Sequence, residues 1–410
     1  MGSRAVRHTI VCLSSQSWHD GMWTNKQHIM SRLAKEHRVL HVNFGPRPLR
    51  DLRRLKAWQG LVDLSVPDIA LAPSLDEANG VTLLDFWAPI RGLGRLSPGH
   101  PLRRYATHDL RLALLGRFLR REGIDDAILW VYHPGYGAGV ARLPHRLIVY
   151  DCVDEYSEFP EYRDDPAWLC EREAALCREA DLVFTTSRSL HEAKRGFQPS
   201  DTYYIPNVGD AEHFASALDP DLEIPTDLRA LPRPVFGFVG AVSDYKLDVE
   251  WVLELARQRP DASIVLIGPA GIGQPDTDLG RLDNAPNVHL LGHRPYAELP
   301  AYVKGFDVCL LPYRRNAYTA SCFPIKFFEY LASGRPIVMS PLPALAEHFD
   351  AVHVADDAAG FARACEVALR APEKGRQERL SLARRNTWGH RIEAIRAQIE
   401  AKLTPNAPTP

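Results

Sequence analysis

What most constrains this chain is a repeated alternation of short apolar runs with helix-spaced segments, in two series divided by a proline-rich break. In the first series, residues 8–15, 38–44, 81–86, 127–132, 146–150, 181–186 and 202–205 read as strands. Helical spacing covers 25–36, 103–121 and 167–179. Residues 219–234 then carry four prolines and little periodicity, as a linker does. A second series follows, with strands at 235–240, 262–268, 288–291, 307–312 and 336–340. Its helices fall at 247–259, 325–333, 361–370 and 380–403. Strands that alternate with helices and are bounded by Gly and Pro predict parallel, doubly wound α/β sheets. Two Rossmann-like domains are expected, 1–205 and 235–385, joined by a hinge at 206–234. A terminal helix at 386–403 and a disordered tail at 404–410 complete the chain. Two such domains face each other across a cleft at the carboxyl ends of their strands, where ligands bind in this architecture.

The bulk numbers narrow the partners. A chain of 410 residues is too long for one compact core, and its net charge of -2 gives no reason to expect nucleic acid. The charge is uneven, however. Residues 1–150 hold 21 Lys+Arg and 12 Asp+Glu, against 28 and 39 in the remainder. The N-terminal side is thus expected to meet something anionic, such as a phospholipid surface or a lipid-diphosphate acceptor. Within it, residues 47–61 space Leu49, Leu52, Leu55 and Trp58 by three, flanked by Arg50, Arg53, Arg54 and Lys56. That stripe predicts a helix resting on an anionic membrane, although a helix packed on the sheet fits the same spacing. Seven scattered cysteines without CxxC spacing predict neither zinc nor a disulfide framework, and suit a cytoplasmic setting. The N-terminal apolar run is too short for a signal peptide. No stretch reaches the ~20 apolar residues of a spanning helix.

The most informative segment is 321–338, SCFPIKFFEYLASGRPIV. A helix starting near Pro324 offers free backbone N–H groups to a phosphate. Lys326 and Glu329, three apart, share one face. A lysine in a first helical turn opposes the helix dipole, and a nearby anion would account for it. Glu329 can accept two hydrogen bonds from a ribose diol. A surface helix with an ordinary i,i+3 ion pair explains the same residues.

The pattern P-x-K-x-x-E-Y-L-A-x-G-R-P-I-V resembles the donor-site motif of GT-B glycosyltransferases related to family 4, in a subgroup that assembles bacterial polysaccharides. The resemblance implies a metal-independent transferase using a UDP- or GDP-sugar and a saccharide or lipid-linked acceptor, with no other cofactor. Glu329 matches the carboxylate that holds the donor ribose. The family's second glutamate, eight residues earlier, is Ser321 here, and its Phe-Gly is Phe323-Pro324. In VFGFVGAVSDYK, Gly240 and Lys246 match a diphosphate-binding G-R-x-x-x-x-K, with Ala241 at the arginine position. IPNVGDAEHF resembles the family's hinge, with Gly209 displaced by one. NVHLLGHRPYAELPAY resembles a base-side turn, which implies contacts from Gly292, His293 and Arg294. Tyr313 and Arg314 follow the next strand as donor or acceptor contacts. The terminal helix crosses back onto the N-terminal domain in similar enzymes.

Transfer with inversion needs a base beside the acceptor hydroxyl. The strand ending in YDCVDEY carries Asp151 and Asp154 toward the cleft, and Asp154 is the leading candidate. In the turn after the first strand, SQSWHDGMWTNK, His19 and Asp20 are alternative bases. Gly21 permits close approach there, and Trp18 and Trp23 can stack on a sugar or pack in the core. Two further readings keep the fold. A nucleotide-sugar epimerase would turn over donor without acceptor. A non-catalytic nucleotide-sugar-binding subunit would bind donor without any transfer.

Overall fold

The computed structural model describes residues 7–14, 16–19, 22–43, 71–86, 96, 99–274 and 276–404. The 47–61 stripe, Asp20, Gly21 and residues 405–410 lie outside them. The N-terminal sheet contains β1 (Thr9–Leu13), β2 (Arg38–Val42), β3 (Leu71–Asp76), β4 (Val81–Phe86), β5 (Ile128–Val131), β6 (Leu147–Cys152), β7 (Leu182–Thr185) and β8 (Thr202–Tyr204), in the order β3-β4-β2-β1-β5-β6-β7-β8. All pairs are parallel except β3 with β4. The strand β3 was not expected. Its sequence, LAPSLD, has a proline, which an edge strand tolerates because one side of its ladder is unpaired.

The second sheet has β9 (Val235–Val239), β10 (Ser263–Ile267), β11 (Val288–Gly292), β12 (Val308–Leu311), β13 (Ile337–Met339) and β14 (His353–Val354), ordered β11-β10-β9-β12-β13-β14 and parallel throughout. The architecture is therefore the expected pair of doubly wound α/β domains. In each sheet the order reverses beside the first strand, at β2-β1-β5 and β10-β9-β12. That switch point opens a crevice at the strands' carboxyl ends.

Three deviations bear on the site. The sixth strand runs to Cys152, so Asp151 is a strand residue and only Asp154 stands in the loop beyond. The hinge is more structured than its prolines suggest. Short helices at Ala211–Ala215 and Thr226–Arg229 sink Phe214 and Leu228 into the C-terminal core. The single helix expected at 380–403 is two helices, Arg376–Arg385 and Trp388–Leu403. Thr387 caps the second by accepting from His390 N–H.

Five helices position the functional groups: α1 (Asn25–Leu33), α2 (Pro166–Glu179), α3 (Arg188–Arg195), α4 (Ile325–Ser333) and α5 (Trp388–Leu403). The last returns to the first domain. Trp388, Ile392, Ile395 and Ile399 are buried in one cluster with Ile10, Ile29, Trp130 and Phe184. Their spacing puts them on a single helical face, and burying such side chains stabilises the contact by about 1.5–3 kcal/mol each. Among the described residues no helix is long and apolar enough to cross a membrane.

Candidate active site

On the N-terminal side, two carboxylates near the end of β6 have different fates. Asp151 is fully buried, accepts from Trp130 Nε1 at 3.3 Å, and lies 3.9 Å from the Arg391 guanidinium. Burial raises its pKa, and Arg391 opposes the rise. It is enclosed within the sheet. Asp154 is half-buried in the following loop and accepts a 3.1 Å hydrogen bond from the Tyr318 hydroxyl of the other domain. Burial raises its pKa too, opposed first by Lys246 and then by Lys26.

The Asp154 loop is braced from behind. Glu173 on α2 accepts from Tyr150 at 2.5 Å and from Lys194 of α3 at 2.7 Å, and Lys194 also reaches Glu155 at 3.3 Å. Thr186 donates to the Val153 carbonyl at 3.0 Å. Neighbouring His133, just past β5, accepts from Gly135 N–H and bonds the Tyr162 hydroxyl at 2.8 Å. Burial, aided by Arg111 and Lys26, pushes its pKa down to about 3, so the ring stays neutral.

Across the cleft, the turn after β9 brings Lys246 toward Asp154. Its ammonium lies 5.6 Å over the Tyr313 ring and 5.8 Å over Tyr318. Burial acts to lower its pKa, but Tyr313, Cys322, Tyr245 and Asp154 more than offset this, so it is raised. Phe159 of the N-terminal domain packs on Tyr318 at 5.0 Å and on Tyr245 at 5.8 Å, so aromatic rings close the gap beside the two charges. Gly240 directly follows β9 and lies against the Phe238 ring, where an added Cβ would be 2.4 Å from it.

The helix with the most informative sequence, α4, spans Ile325–Ser333 as its spacing predicts. Pro324 is its N-cap and no side chain caps it, leaving first-turn amides for an anion. Lys326 donates to Glu329 Oε2 at 2.5 Å, and the Tyr296 hydroxyl donates to Oε1 at 3.2 Å. Glu329 is fully buried. The hinge presses on it so closely that a Cβ at Gly209 would meet Glu329 N at 2.7 Å, which gives that glycine its physical role. Phe323 stacks on Phe328, and its carbonyl accepts from Asn207 at 2.6 Å. Ser321, where similar enzymes have glutamate, accepts from Ser189 across the domain gap at 3.0 Å.

The remaining sequence candidates scatter. Trp18 is a core residue, held by Asn43 and by a 2.5 Å bond to Asp76. Trp23 stacks on Tyr296 at 5.2 Å and so joins the domains. His19 is exposed. Gly292 ends β11 with a φ of 67°, and His293 beside it is exposed. Arg294 turns away to Asp227 and Tyr302, at 2.8 and 2.7 Å. Arg314 is exposed and acts electrostatically on Glu250. The sequence reading passed over Tyr318, Tyr296, His133 and Lys26. Of these, His133 carried a signal, since it directly follows the apolar run ILWVY as Asp154 follows β6.

Comparison with known proteins gives three results. Residues 233–371 match the family model described as glycosyl transferases group 1. TuaH of Bacillus subtilis (strain 168), assigned to teichuronic acid biosynthesis as a glycosyltransferase, is 27% identical over 286 residues, covering 64% of this chain and 69% of TuaH. Among solved structures, a UDP-forming trehalose-phosphate synthase from Burkholderia xenovorans superposes with a TM-score of 0.70 at 15% identity, covering 97% of this chain and 100% of that one. Anabaena HepE in complex with UDP gives 0.63 at 16%, covering 97% and 100%. At such identities the structural likeness shows the fold, which is GT-B. The family model and TuaH support a glycosyltransferase.

The Arg391 contacts generate a stability prediction. Arg391→Met removes its bonds to Asn25 and Asn207 and leaves Asp151 buried without its nearest cation, at a cost of about 3–5 kcal/mol. Urea unfolding checks this. Adding Asp151→Asn to the same chain should recover part of the loss, whereas strictly additive effects would show that the charge pairing is not the cause.

Proposed function

We propose that the chain is a metal-independent glycosyltransferase that moves a hexosyl or uronosyl group from a UDP- or GDP-sugar to a hydroxyl of a saccharide or lipid-linked acceptor. The observation that carries this is Asp154, projecting from the first sheet's carboxyl end onto Tyr318 and facing Lys246 of the second domain. A carboxylate and a cation thus meet across the cleft of a GT-B fold. The match to TuaH supports a place in surface polysaccharide assembly.

In the reaction, Asp154 takes the proton from the acceptor hydroxyl as its oxygen attacks the anomeric carbon. The bond from that carbon to the diphosphate oxygen breaks, and the nucleoside diphosphate leaves. Lys246 and the uncapped first turn of α4 neutralise the charge that develops on it. A single displacement assisted by a base inverts the anomeric centre. Glu329 holds the donor ribose, which takes the hydrogen-bonding place of the Tyr296 hydroxyl. A lipid-linked acceptor would bring the enzyme to the inner face of the membrane, with residues 47–61 against anionic headgroups. Salt-sensitive sedimentation with anionic vesicles is then expected, and its absence would remove this part of the proposal.

Asp154→Asn should lower transfer by about 10²–10⁴-fold while leaving affinity for UDP or GDP within about twofold. Glu329→Ala should show the reverse, weakening that nucleotide about tenfold or more, as lost hydrogen bonds to a charged group do. Equal nucleotide affinity in wild type and Glu329→Ala would count against the ribose role. Because burial raises the Asp154 pKa, the acidic limb of the kcat/KM profile should lie above the ordinary carboxylate value of 3.8. Tyr318→Phe, which removes a hydrogen bond to the ionised form, should move that limb higher still. A limb unmoved by this change would detach Asp154 from the rate.

A further inference from the structure

Three lysines in the described structure are at least nine-tenths buried: Lys26, Lys194 and Lys326. Two have close carboxylate partners, Lys194 with Glu173 at 2.7 Å and Lys326 with Glu329 at 2.5 Å. Lys26, 5% exposed, has none within ion-pair distance among the described residues. Its ammonium lies 5.5 Å over the ring of Tyr132, the residue directly after β5. That is the switch point between β1 and β5, where the crevice of the first domain opens. Asp154 and Asp151 act on Lys26 only at longer range. Asp151 is already occupied by Trp130 and Arg391, and Asp154 by Tyr318. His133 beside it is held neutral by burial, and Arg391 is engaged by Asn25, Asn207 and Asp151, which leaves Lys26 as a cation with no close carboxylate among the described residues here. A buried, unpaired ammonium is unfavourable in the free protein and is relieved by an incoming anion.

We infer that Lys26 binds an anionic substituent, a carboxylate or phosphoryl group, on the sugar that occupies the crevice beside Asp154. The inference rests on the glycosyltransferase reading and deepens it, since that anion belongs either to a uronic acid donor or to a phosphorylated acceptor. Lys246 serves the leaving diphosphate from the opposite wall, so among the described residues each side of the cleft presents a lysine with no close carboxylate. This arrangement also agrees with the excess of Lys and Arg in residues 1–150.

Calorimetry on the full chain tests it, beginning with whichever of UDP or GDP binds. The donor arm compares UDP-glucuronate with UDP-glucose, or GDP-mannuronate with GDP-mannose. The acceptor arm titrates inorganic phosphate into protein saturated with the nucleotide diphosphate. Lys26→Met should weaken the anionic probe of one arm at least tenfold, while the free nucleotide and the neutral nucleotide sugar stay within twofold. The arm that responds identifies the source of the anion. Lys26→Arg should keep that affinity within a few-fold. The inference is overturned if both anionic probes bind wild type and Lys26→Met alike, if neither binds wild type at millimolar concentration, or if the neutral nucleotide sugar is weakened as much as the charged one. Thermal melting adds an independent check. Removing an unpaired buried charge should leave the ligand-free Tm unchanged or higher. A large fall, or failure to fold, would make Lys26 a structural partner of Asp154 and Asp151 and refute the binding role. If neither UDP nor GDP binds wild type, the glycosyltransferase reading fails first; if one binds and both anion arms are silent, only the role of Lys26 fails.

Discussion

The buried guanidinium of Arg391 is the contact on which the domain arrangement depends. It projects from the terminal helix into the first domain and donates to Asn25 at the start of α1 and to Asn207 of the hinge. It is also the nearest cation to Asp151 within β6. Asn207 passes the connection on by donating to the Phe323 carbonyl at the start of α4. Four segments far apart in sequence therefore meet at one charged group, whose Nη1 makes both hydrogen bonds while Nη2 faces Asp151 at 3.9 Å. A single buried nitrogen thus ties the pose of α5 to the hinge and to α1.

Around this anchor the cleft is organised as opposed charges in a medium poorer than water. Burial raises the pKa of Asp154, while Lys246 and Lys26 pull it back down. Two unit charges 4 Å apart interact by about 1 kcal/mol in water and about 4 kcal/mol at an effective dielectric of 20. Closing aromatic rings over the gap therefore strengthens every such pair. Phe159, Tyr245 and Tyr318 do this on one side, while Trp23, Tyr296 and His213 form a second stack near Glu329. Two of those tyrosines also bond the carboxylates, Tyr318 to Asp154 and Tyr296 to Glu329. The contacts that hold the domains together are thus the same ones that orient the acidic groups.

Local residues were legible where a short-range rule governs them. Lys326 and Glu329 pair as three-residue helical spacing requires. The glycine after α4, Gly334, adopts a φ of 71° and ends the helix. Other positions depended on facts that no local pattern contains. Whether Asp151 or Asp154 faces the cleft turns on a strand two residues longer than its apolar run. Trp18 and Trp23 look alike in sequence, yet one hydrogen-bonds inside its own domain and the other stacks across to Tyr296. Arg294, implied as a base-side contact by the family resemblance, and Arg314, read as a cleft residue from its place after a strand, turn to Asp227 and to solvent near Glu250. Long side chains at strand ends can swing either way, and distant carboxylates decide which.

By itself the sequence determined two doubly wound sheets and the helix that carries Lys326 and Glu329. These follow from periodicity, turn chemistry and neighbours within a few residues, all of which are written along the chain. Only the tertiary structure decided that Tyr318 meets Asp154, that Tyr296 meets Glu329, that Arg391 ties the terminal helix to the hinge, and that Lys26 has no close carboxylate among the described residues. Each of those relations joins residues from tens to hundreds of positions apart. Their energies come from burial and from charge at a distance, which exist only once the two sheets face each other.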